Sequence, residues 1–271
     1  YKMANANSFK EQVSKNEVQE TNSEKPKGPR QQVSDLLERM APEIQKALPS
    51  HMSAERMARI AMTAISSNPQ LLECNPRSLI GALLQASQIG LEPNTALGQA
   101  YLIPYYNNKK KEFEAQLQLS YLGLIELATR TGKYKAIYAH EVYKEDEFYY
   151  EYGLHKNLVH KPVDDPNGEP VGYYAVYHLQ NGGFDFAYWT KNKIELHAGN
   201  YSKAVQKGWN SPWKTDFNAM AKKTVLKDLL KYAPKSIEIS QAVGSDSKVT
   251  EINKQGEIID ITEYGQEALE G

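Results

Sequence analysis

The sequence predicts an α+β fold, a small antiparallel sheet flanked by helices, and three observations lead to that prediction. Apolar residues recur at helical spacing in the first third of the chain. Two stretches in the middle alternate apolar with polar residues, and each contains a turn that suits antiparallel strands. Helical spacing then returns over residues 216–233. Helices followed by strands and a further helix are typical of the α+β class.

The first third predicts three helices. Ser34 is expected to cap the first, and Pro42 to kink it. The second ends at Asn68-Pro69, and the third begins at Asn75-Pro76 and closes at Gly90. The apolar residues that define the second helix are Met57, Ile60, Ala61, Ala64 and Ile65.

The middle of the chain predicts two hairpins with a helix between them. Apolar residues alternate along 101–105 and 113–119, so these segments are expected to pair, with Lys109, Lys110 and Lys111 at the tip. A helix follows from Ser120 to Gly132. In the second hairpin, residues 171–179 lead into the turn Asn181-Gly182-Gly183, and residues 184–188 return.

Composition predicts how the chain is divided. Residues 1–30 are polar and contain few apolar side chains, so we expect a flexible N-terminal arm. Residues 31–240 are expected to form the central folded domain, and 241–271 an acidic flexible tail. The 271 residues include one cysteine, Cys74, which excludes an intramolecular disulfide and a cysteine zinc site. With no signal core or membrane span in the sequence, a cytoplasmic location is expected.

Charge is distributed unevenly although the formal net charge is −1. Residues 141–170 carry three basic and eight acidic groups, whereas residues 191–235 carry ten lysines and three acidic groups, which is +7. The last 31 residues, 241–271, carry −5. A basic segment is the pattern expected of a polyanion-binding surface, and a merely solvated surface is the alternative.

The sequence lacks the common catalytic motifs, so no enzyme and no cofactor is predicted. Gly132-Lys133 has Leu127 where a Walker A loop needs a glycine, which argues against ATP-driven chemistry. Cys74 is interpreted as a structural thiol, and His155 and His160 as surface residues. Seven acidic residues leave open a metal-dependent nuclease, with solvated strand ends as the simpler interpretation: Glu141, Glu145, Asp146, Glu147, Glu151, Asp164 and Asp165.

The basic segment is interleaved with aromatic residues, which favours single-stranded nucleic acid as its ligand. Lysines neutralise phosphates and release counterions, while aromatic rings stack on bases of any sequence. Trp209 and Trp213 fit this interpretation, although burial in a core is the alternative for both. Lys223, Lys227 and Lys231 recur every four residues and are expected to form an exposed row with a spacing of about 6 Å.

Four segments resemble the RecT family of phage-encoded single-strand annealing proteins. They begin with Gly90-Leu91-Glu92-Pro93-Asn94 and Gly98-Gln99-Ala100-Tyr101-Leu102-Ile103-Pro104-Tyr105. The others are Ser120-Tyr121-Leu122-Gly123-Leu124-Ile125-Glu126-Leu127-Ala128 and the run from Pro212-Trp213-Lys214-Thr215-Asp216-Phe217 to Lys227. The similarity spans roughly residues 33 to 235 and shows no departure within these segments.

The resemblance implies binding of single-stranded DNA and ATP-independent annealing into duplex DNA, by a homo-oligomer that forms rings or helical filaments. It implies a phage exonuclease and the host single-strand binding protein as partners, and a fold related to the eukaryotic annealing proteins. Residues 31–240 are then expected to be the DNA-binding and oligomerising annealing domain. The candidate DNA-binding residues, by position and by the basic and aromatic pattern, are Gln99, Lys109, Lys110, Lys111, Tyr201, Lys203, Lys207, Trp209, Trp213, Lys214, Lys222, Lys223, Lys227 and Lys231.

Three further expectations complete the hypothesis. The helical front half has more apolar stripes than are needed to cover one face of the sheet, so we expect this half to provide subunit contacts. Deleting residues 33–48 is then expected to leave monomers. The acidic tail is expected either to compete with DNA or to dock another protein. A passive strand-protecting binder is an alternative to an annealing protein, as is the nuclease.

Overall fold

A computed structural model describes residues 28–48, 53–234, 236–246, 248–253 and 257–260 of the chain. Helices and small antiparallel sheets make up the fold, so the predicted α+β class is confirmed. Most of the predicted N-terminal arm, residues 1–27, and the last part of the predicted tail, residues 261–271, lie outside the described residues.

The helices divide into a front group, a central helix and a back group. They are α1 Pro29–Ala47, α2 Ala54–Ser67, α3 Pro76–Gln88, α4 Tyr121–Arg130, α5 Lys191–Tyr201, α6 Lys203–Gln206, α7 Pro212–Thr215, α8 Phe217–Leu230 and α9 Ile237–Ser245. A 3₁₀ turn, Pro69–Glu73, joins α2 to α3.

All strand pairs in the described residues are antiparallel. The strands are β1 Ala100–Asn107, β2 Glu112–Leu119, β3 Tyr134–Val142, β4 Glu147–Glu151, β5 Asn157–Lys161, β6 Gly172–Leu179, β7 Phe184–Thr190, β8 Thr250–Ile252 and β9 Ile258–Asp260. The order β3-β6-β7 forms a three-stranded sheet, and β1-β2, β4-β5 and β8-β9 are two-stranded. Both predicted hairpins, β1-β2 and β6-β7, are confirmed.

Local sequence signals predicted the three front helices, with one error in where a helix begins. The Asn75 side chain accepts from Arg77 N at 2.9 Å, so the predicted start of α3 is confirmed. Helix α1, however, begins at Pro29 and not at Ser34, because proline is well suited to the first helical position. The helix also continues through Pro42 to Ala47.

The apolar stripe of α1 is used inside the chain itself. Val33, Leu37, Ile44 and Leu48 are buried in the main core, together with α3. Much of the stripe is thus buried within one chain, and subunit contacts through the helical front half stay a prediction. Deleting residues 33–48 would uncover the core of each chain, so that truncation is not a test of assembly.

The three-stranded sheet separates two layers. Its inner face packs on α8, where the Tyr173 hydroxyl donates to Asn218 Oδ1 at 2.6 Å and the Trp189 ring nitrogen donates to Asp228 Oδ2 at 2.9 Å. Its outer face carries a second small core under the β4-β5 hairpin. That core contains Val142, Tyr174, Val176 and Phe186.

The predicted boundary at residue 240 is wrong for the described residues that follow it. Ile239 and Ala242 of α9 are buried, and so are Val249 and Ile252 farther along. The apolar positions of this stretch are few but well placed, so the segment packs into the main core despite its acidic composition. Residues 241–246 and 248–252 are thus part of the same folded unit.

Cys74 is a buried free thiol, in agreement with the structural role predicted for it. Burial, followed by the charges of Glu73 and Glu114, raises the pKa of Cys74 to about 12. Because the thiolate is the reactive form, the residue is chemically inert near neutral pH. Among the described helices, none combines the length and the apolar character needed to cross a bilayer.

Candidate nucleic-acid interface

Three segments of the chain, together with Asn68, line one cleft of about 470 Å³. The first runs from Asn94 through β1, the second joins the end of β2 to the start of α4, and the third runs from Pro212 into α8. The volume is large enough for a group the size of a nucleotide. The lining includes Asn68, Asn94, Gly98, Tyr101, Leu102, Ile103, Gln118, Leu119, Ser120, Tyr121, Leu122, Pro212, Asp216, Ala219, Met220, Lys222 and Lys223.

Backbone contacts hold the first segment against the second. The Ser120 hydroxyl donates to the Gly98 carbonyl at 2.5 Å, and Ser120 N donates to the Gln99 carbonyl at 3.0 Å. Asn94, at φ +58°, accepts from Leu102 N through its side chain at 2.8 Å. A Cβ on Gly123 would lie 2.2 Å from the Gln99 carbonyl oxygen, so only glycine allows this approach.

The cleft combines aromatic, amide and cationic groups. Tyr101 is 41% exposed at the cleft, and the Lys222 ammonium lies 4.9 Å from the Tyr121 ring centre. Lys222 also pairs with Glu141 at 2.8 Å. Burial alone would lower the pKa of Lys222, but the hydrogen bond and the charge of Glu141 outweigh it, and the pKa is raised. The ammonium therefore stays charged at neutral pH.

The prediction that the lysines of α8 form an exposed row is wrong. Lys223 is buried, and its ammonium lies 3.0 Å from Asp246, while Lys227 reaches the same carboxylate at 2.8 Å. Lys231 pairs with Asp228 at 3.1 Å. Helix α8 packs on several elements at once, so a periodic lysine is not necessarily on a solvated face. DNA contact by these three lysines stays a prediction.

The hairpin tip presents its three lysines differently. Lys109 and Lys111 are exposed, and the Asn107 side chain accepts from Lys109 N and Lys110 N at 3.0 and 3.2 Å. Lys110 instead folds back, and its ammonium lies 2.9 Å from both Glu114 and Glu251. Two of the three predicted tip cations are therefore directed to solvent.

The basic segment before α8 contains exposed aromatic residues. Tyr201 is 62% exposed and Trp209 is 43% exposed, with the Lys207 ammonium 4.9 Å from the Trp209 ring centre. The Lys214 ammonium donates to the Gly208 carbonyl at 2.5 Å. Lys203 is exposed at the start of α6.

The two tryptophans divide between the two interpretations. Trp213 packs against the main core and contacts the Phe217 ring at 5.8 Å, whereas Trp209 is exposed. Of the predicted site residues, Lys222 and Lys223 line the cleft. Gln99 and Trp213 are next to lining residues in the sequence, and Lys214 is two positions from Pro212 and from Asp216. Tyr101 and Asn94 were missed as site residues, although both lie in segments that carry the family resemblance.

The acidic residues considered for a nuclease do not converge. Asp146 accepts hydrogen bonds from the backbone N–H groups of Tyr143 and Val163 and pairs with His160. His160 also contacts the Tyr174 hydroxyl, and its side chain is largely buried, so it is not the surface residue that was predicted. Among the described residues, the three acidic side chains whose oxygens lie within 4.8 Å of one another are Glu112, Glu114 and Glu251. None of them belongs to the predicted set.

The comparisons with known proteins match the segments that build the cleft. A family model described as the RecT family matches residues 55–260. The chain is 44% identical over 211 residues to Protein RecT of Escherichia coli (strain K12), which covers 77% of each chain. It is 32% identical over 191 residues to Uncharacterized protein YqaK of Bacillus subtilis (strain 168), which covers 70% of this chain and 63% of the relative.

Proposed function

The chain belongs to the RecT family, and from that membership we propose that it binds single-stranded DNA and anneals complementary strands without ATP. The activity serves phage homologous recombination in the cytoplasm of a bacterial host. The protein acts as a binding protein and not as an enzyme. The observation that carries the proposal is that the β1-β2 hairpin, the start of α4 and the segment from Pro212 into α8 converge on one cleft, with exposed lysines of the hairpin tip and the basic segment nearby in sequence.

The proposed mechanism is electrostatic. Two DNA strands repel each other through their phosphates, and fixed lysines such as Lys109, Lys111 and Lys207 lower that repulsion by holding one backbone. Exposed rings such as Tyr101 and Trp209 stack on bases without regard to sequence. Pairing then supplies about 1.4 kcal/mol per stacked step, so a matched run of bases outweighs accidental pairing without any fuel.

Assembly is part of the proposal. One subunit contacts few phosphates and binds weakly, whereas neighbouring subunits on one strand multiply the contacts. We therefore propose a homo-oligomer, a ring or a helical filament, that holds single-stranded DNA and then the annealed duplex. A phage exonuclease supplies the single strands, and the host single-strand binding protein is a further partner.

An annealing assay tests the function directly. Two complementary labelled oligonucleotides are mixed with the protein in EDTA and without nucleotide, and pairing is followed by fluorescence transfer. We expect pairing to be faster than without protein. Slower pairing would identify a passive strand-protecting binder, and strand shortening that requires Mg²⁺ would identify a nuclease. Either of those results would overturn the proposal.

Salt dependence tests the hairpin tip. Replacing Lys109 and Lys111 by glutamine removes two exposed cations. We expect the slope of log binding constant against log salt to flatten by up to about 1.4, because each phosphate contact on a single strand contributes about 0.7. Fluorescence anisotropy of a labelled oligothymidylate across a salt series measures the slope.

The matched control removes the same charge elsewhere. Lys135 and Lys144 are also exposed, on β3 and in the acidic segment after it, and their double glutamine variant should keep the wild-type slope. Equal slopes for both double variants would place the hairpin tip outside the DNA contact.

A further inference from the structure

The described residues just after α9 place acidic groups on three of the predicted DNA-binding lysines. We define Asp246 together with residues 248–252 as the C-terminal strap. We propose that the strap is an internal competitor for DNA, in which Glu251 occupies Lys110 and yields it to a phosphate, while Asp246 anchors the strap. The inference rests on the proposed function and assigns a regulation to the same surface.

The strap crosses from α8 to the hairpin tip. Asp246 accepts from Lys223, Lys227 and Leu119 N, the last at 2.9 Å at the end of β2. Val249 then forms a bridge with Gln116 in β2. The Glu251 carboxylate lies 2.9 Å from the Lys110 ammonium. Thus one short segment carries carboxylates to cations from two separate elements.

The path of the strap is set by packing and is not a loose association. A Cβ on Gly81 of α3 would lie 2.6 Å from the Thr250 carbonyl oxygen, so the strap backbone lies directly on this helix. Val249 and Ile252 are buried on either side of Thr250. The side chain of Glu251 is therefore presented from a fixed backbone, close to the tip lysines.

The two carboxylates differ in how easily a phosphate could replace them. Asp246 has a side chain that is 1% exposed, and its partner Lys223 is 7% exposed, so this ion pair is almost closed to solvent. Lys110 is 32% exposed and Glu251 is 19% exposed. A phosphate from solvent can therefore approach Lys110 and take the position of the Glu251 carboxylate.

The electrostatic state of Lys110 agrees with competition. Burial alone would lower its pKa, but the hydrogen bonds and charges of Glu114 and Glu251 outweigh burial, and the pKa of Lys110 is raised. With two carboxylates on one ammonium, these three groups together carry a negative charge, and their repulsion of an incoming strand opposes the attraction by Lys109 and Lys111. Removal of one carboxylate leaves Lys110 paired with Glu114 and relieves that repulsion for Lys109 and Lys111 as well.

The test compares two single substitutions that each remove one acidic charge after α9. Glu251→Gln removes the carboxylate on Lys110, and the control Glu257→Gln removes an exposed carboxylate that bonds to Asn253. Binding of labelled oligothymidylate at low salt should be about two- to fivefold tighter for Glu251→Gln than for the control, the size expected of a partly exposed ion pair. The difference should vanish at high salt.

Each outcome bears on a distinct claim. If both variants bind like the wild type, or tighten equally, the competition through Glu251 is overturned while DNA binding itself stands. If the wild-type protein neither binds nor anneals oligonucleotides, the proposed function fails first. A thermal unfolding curve of Glu251→Gln that matches the wild type confirms that affinity, and not folding, has changed.

Discussion

Replacing Asp246 by asparagine is expected to lower the free energy of unfolding by about 3–5 kcal/mol. The substitution leaves the Lys223 ammonium buried without a counter-charge, and breaking a buried ion pair by removing one partner has an effect of that size. Lys227 is 31% exposed and can turn to solvent, so the loss is centred on Lys223. Urea unfolding, with the slope checked for constancy, measures the change.

Two controls separate the buried pair from surface charge. Asp260→Asn breaks the exposed pair with Lys248 and should change stability by about 1 kcal/mol or less. The double variant Lys223→Met with Asp246→Asn removes both buried charges, keeps a side-chain oxygen that can accept from Leu119 N, and should recover most of the stability lost in Asp246→Asn alone. A double variant as unstable as the single one would contradict the electrostatic explanation.

The pH dependence of the Asp246→Asn effect follows from the pKa of Asp246. Burial alone would raise it, but the charges of Lys223 and Lys227 and the hydrogen bonds from Lys227 and Leu119 outweigh burial, and the pKa is lowered. The stability from the ionised carboxylate is full above the unfolded-state pKa of about 3.9 and is lost as pH falls through the lower folded-state pKa. The difference between wild type and variant should therefore shrink only in acid.

The second large effect is expected from Gly123→Ala in α4. The new Cβ would lie 2.2 Å from the Gln99 carbonyl oxygen and 3.1 Å from its carbon, so the backbone that borders the cleft has to move. We expect a loss of about 1–3 kcal/mol in stability, typical of overpacking. A larger loss is expected in the initial annealing rate, because Gln99 and the neighbouring Gly98 position the first wall of the cleft.

Gly199→Ala is the matched control. Gly199 lies in α5, and a Cβ there would have no neighbour within 4 Å. Alanine is the better helix former, so this variant should gain up to about 1 kcal/mol and keep the wild-type annealing rate. If Gly123→Ala behaved like Gly199→Ala, the close approach of α4 to Gln99 would not be what shapes the cleft.

Short-range signals carried much of the fold prediction. The Asn75-Pro76 and Ser120 caps, the Asn181-Gly182-Gly183 turn and the alternation along β1 and β2 all act over a few residues, and the structure confirms each of them. The start of α1 was predicted at the wrong residue. Pro29 and Ser34 are both residues that suit a helix start, and the helix begins at Pro29. Local patterns thus give the elements more reliably than their ends.

The candidate site depended on longer-range information. Lys223 and Lys227 look alike in the sequence, yet one is buried and the other partly exposed. Trp209 and Trp213 are four residues apart and also differ in burial. Helical periodicity states which residues share a face but not which neighbour covers that face. The family resemblance identified the segments, whereas the cleft that joins them depends on how they pack.

The amino-acid sequence alone determined the α+β class, most element positions, the structural role of Cys74 and the segments that carry family membership. Tertiary structure alone decided that Asp246 and residues 248–252 belong to the folded unit and that Asp246 and Glu251 compensate lysines from α8 and the hairpin tip. The reason is physical. Caps, turns and periodicity are interactions between near neighbours in the chain, but burial and charge compensation depend on groups that only folding brings together.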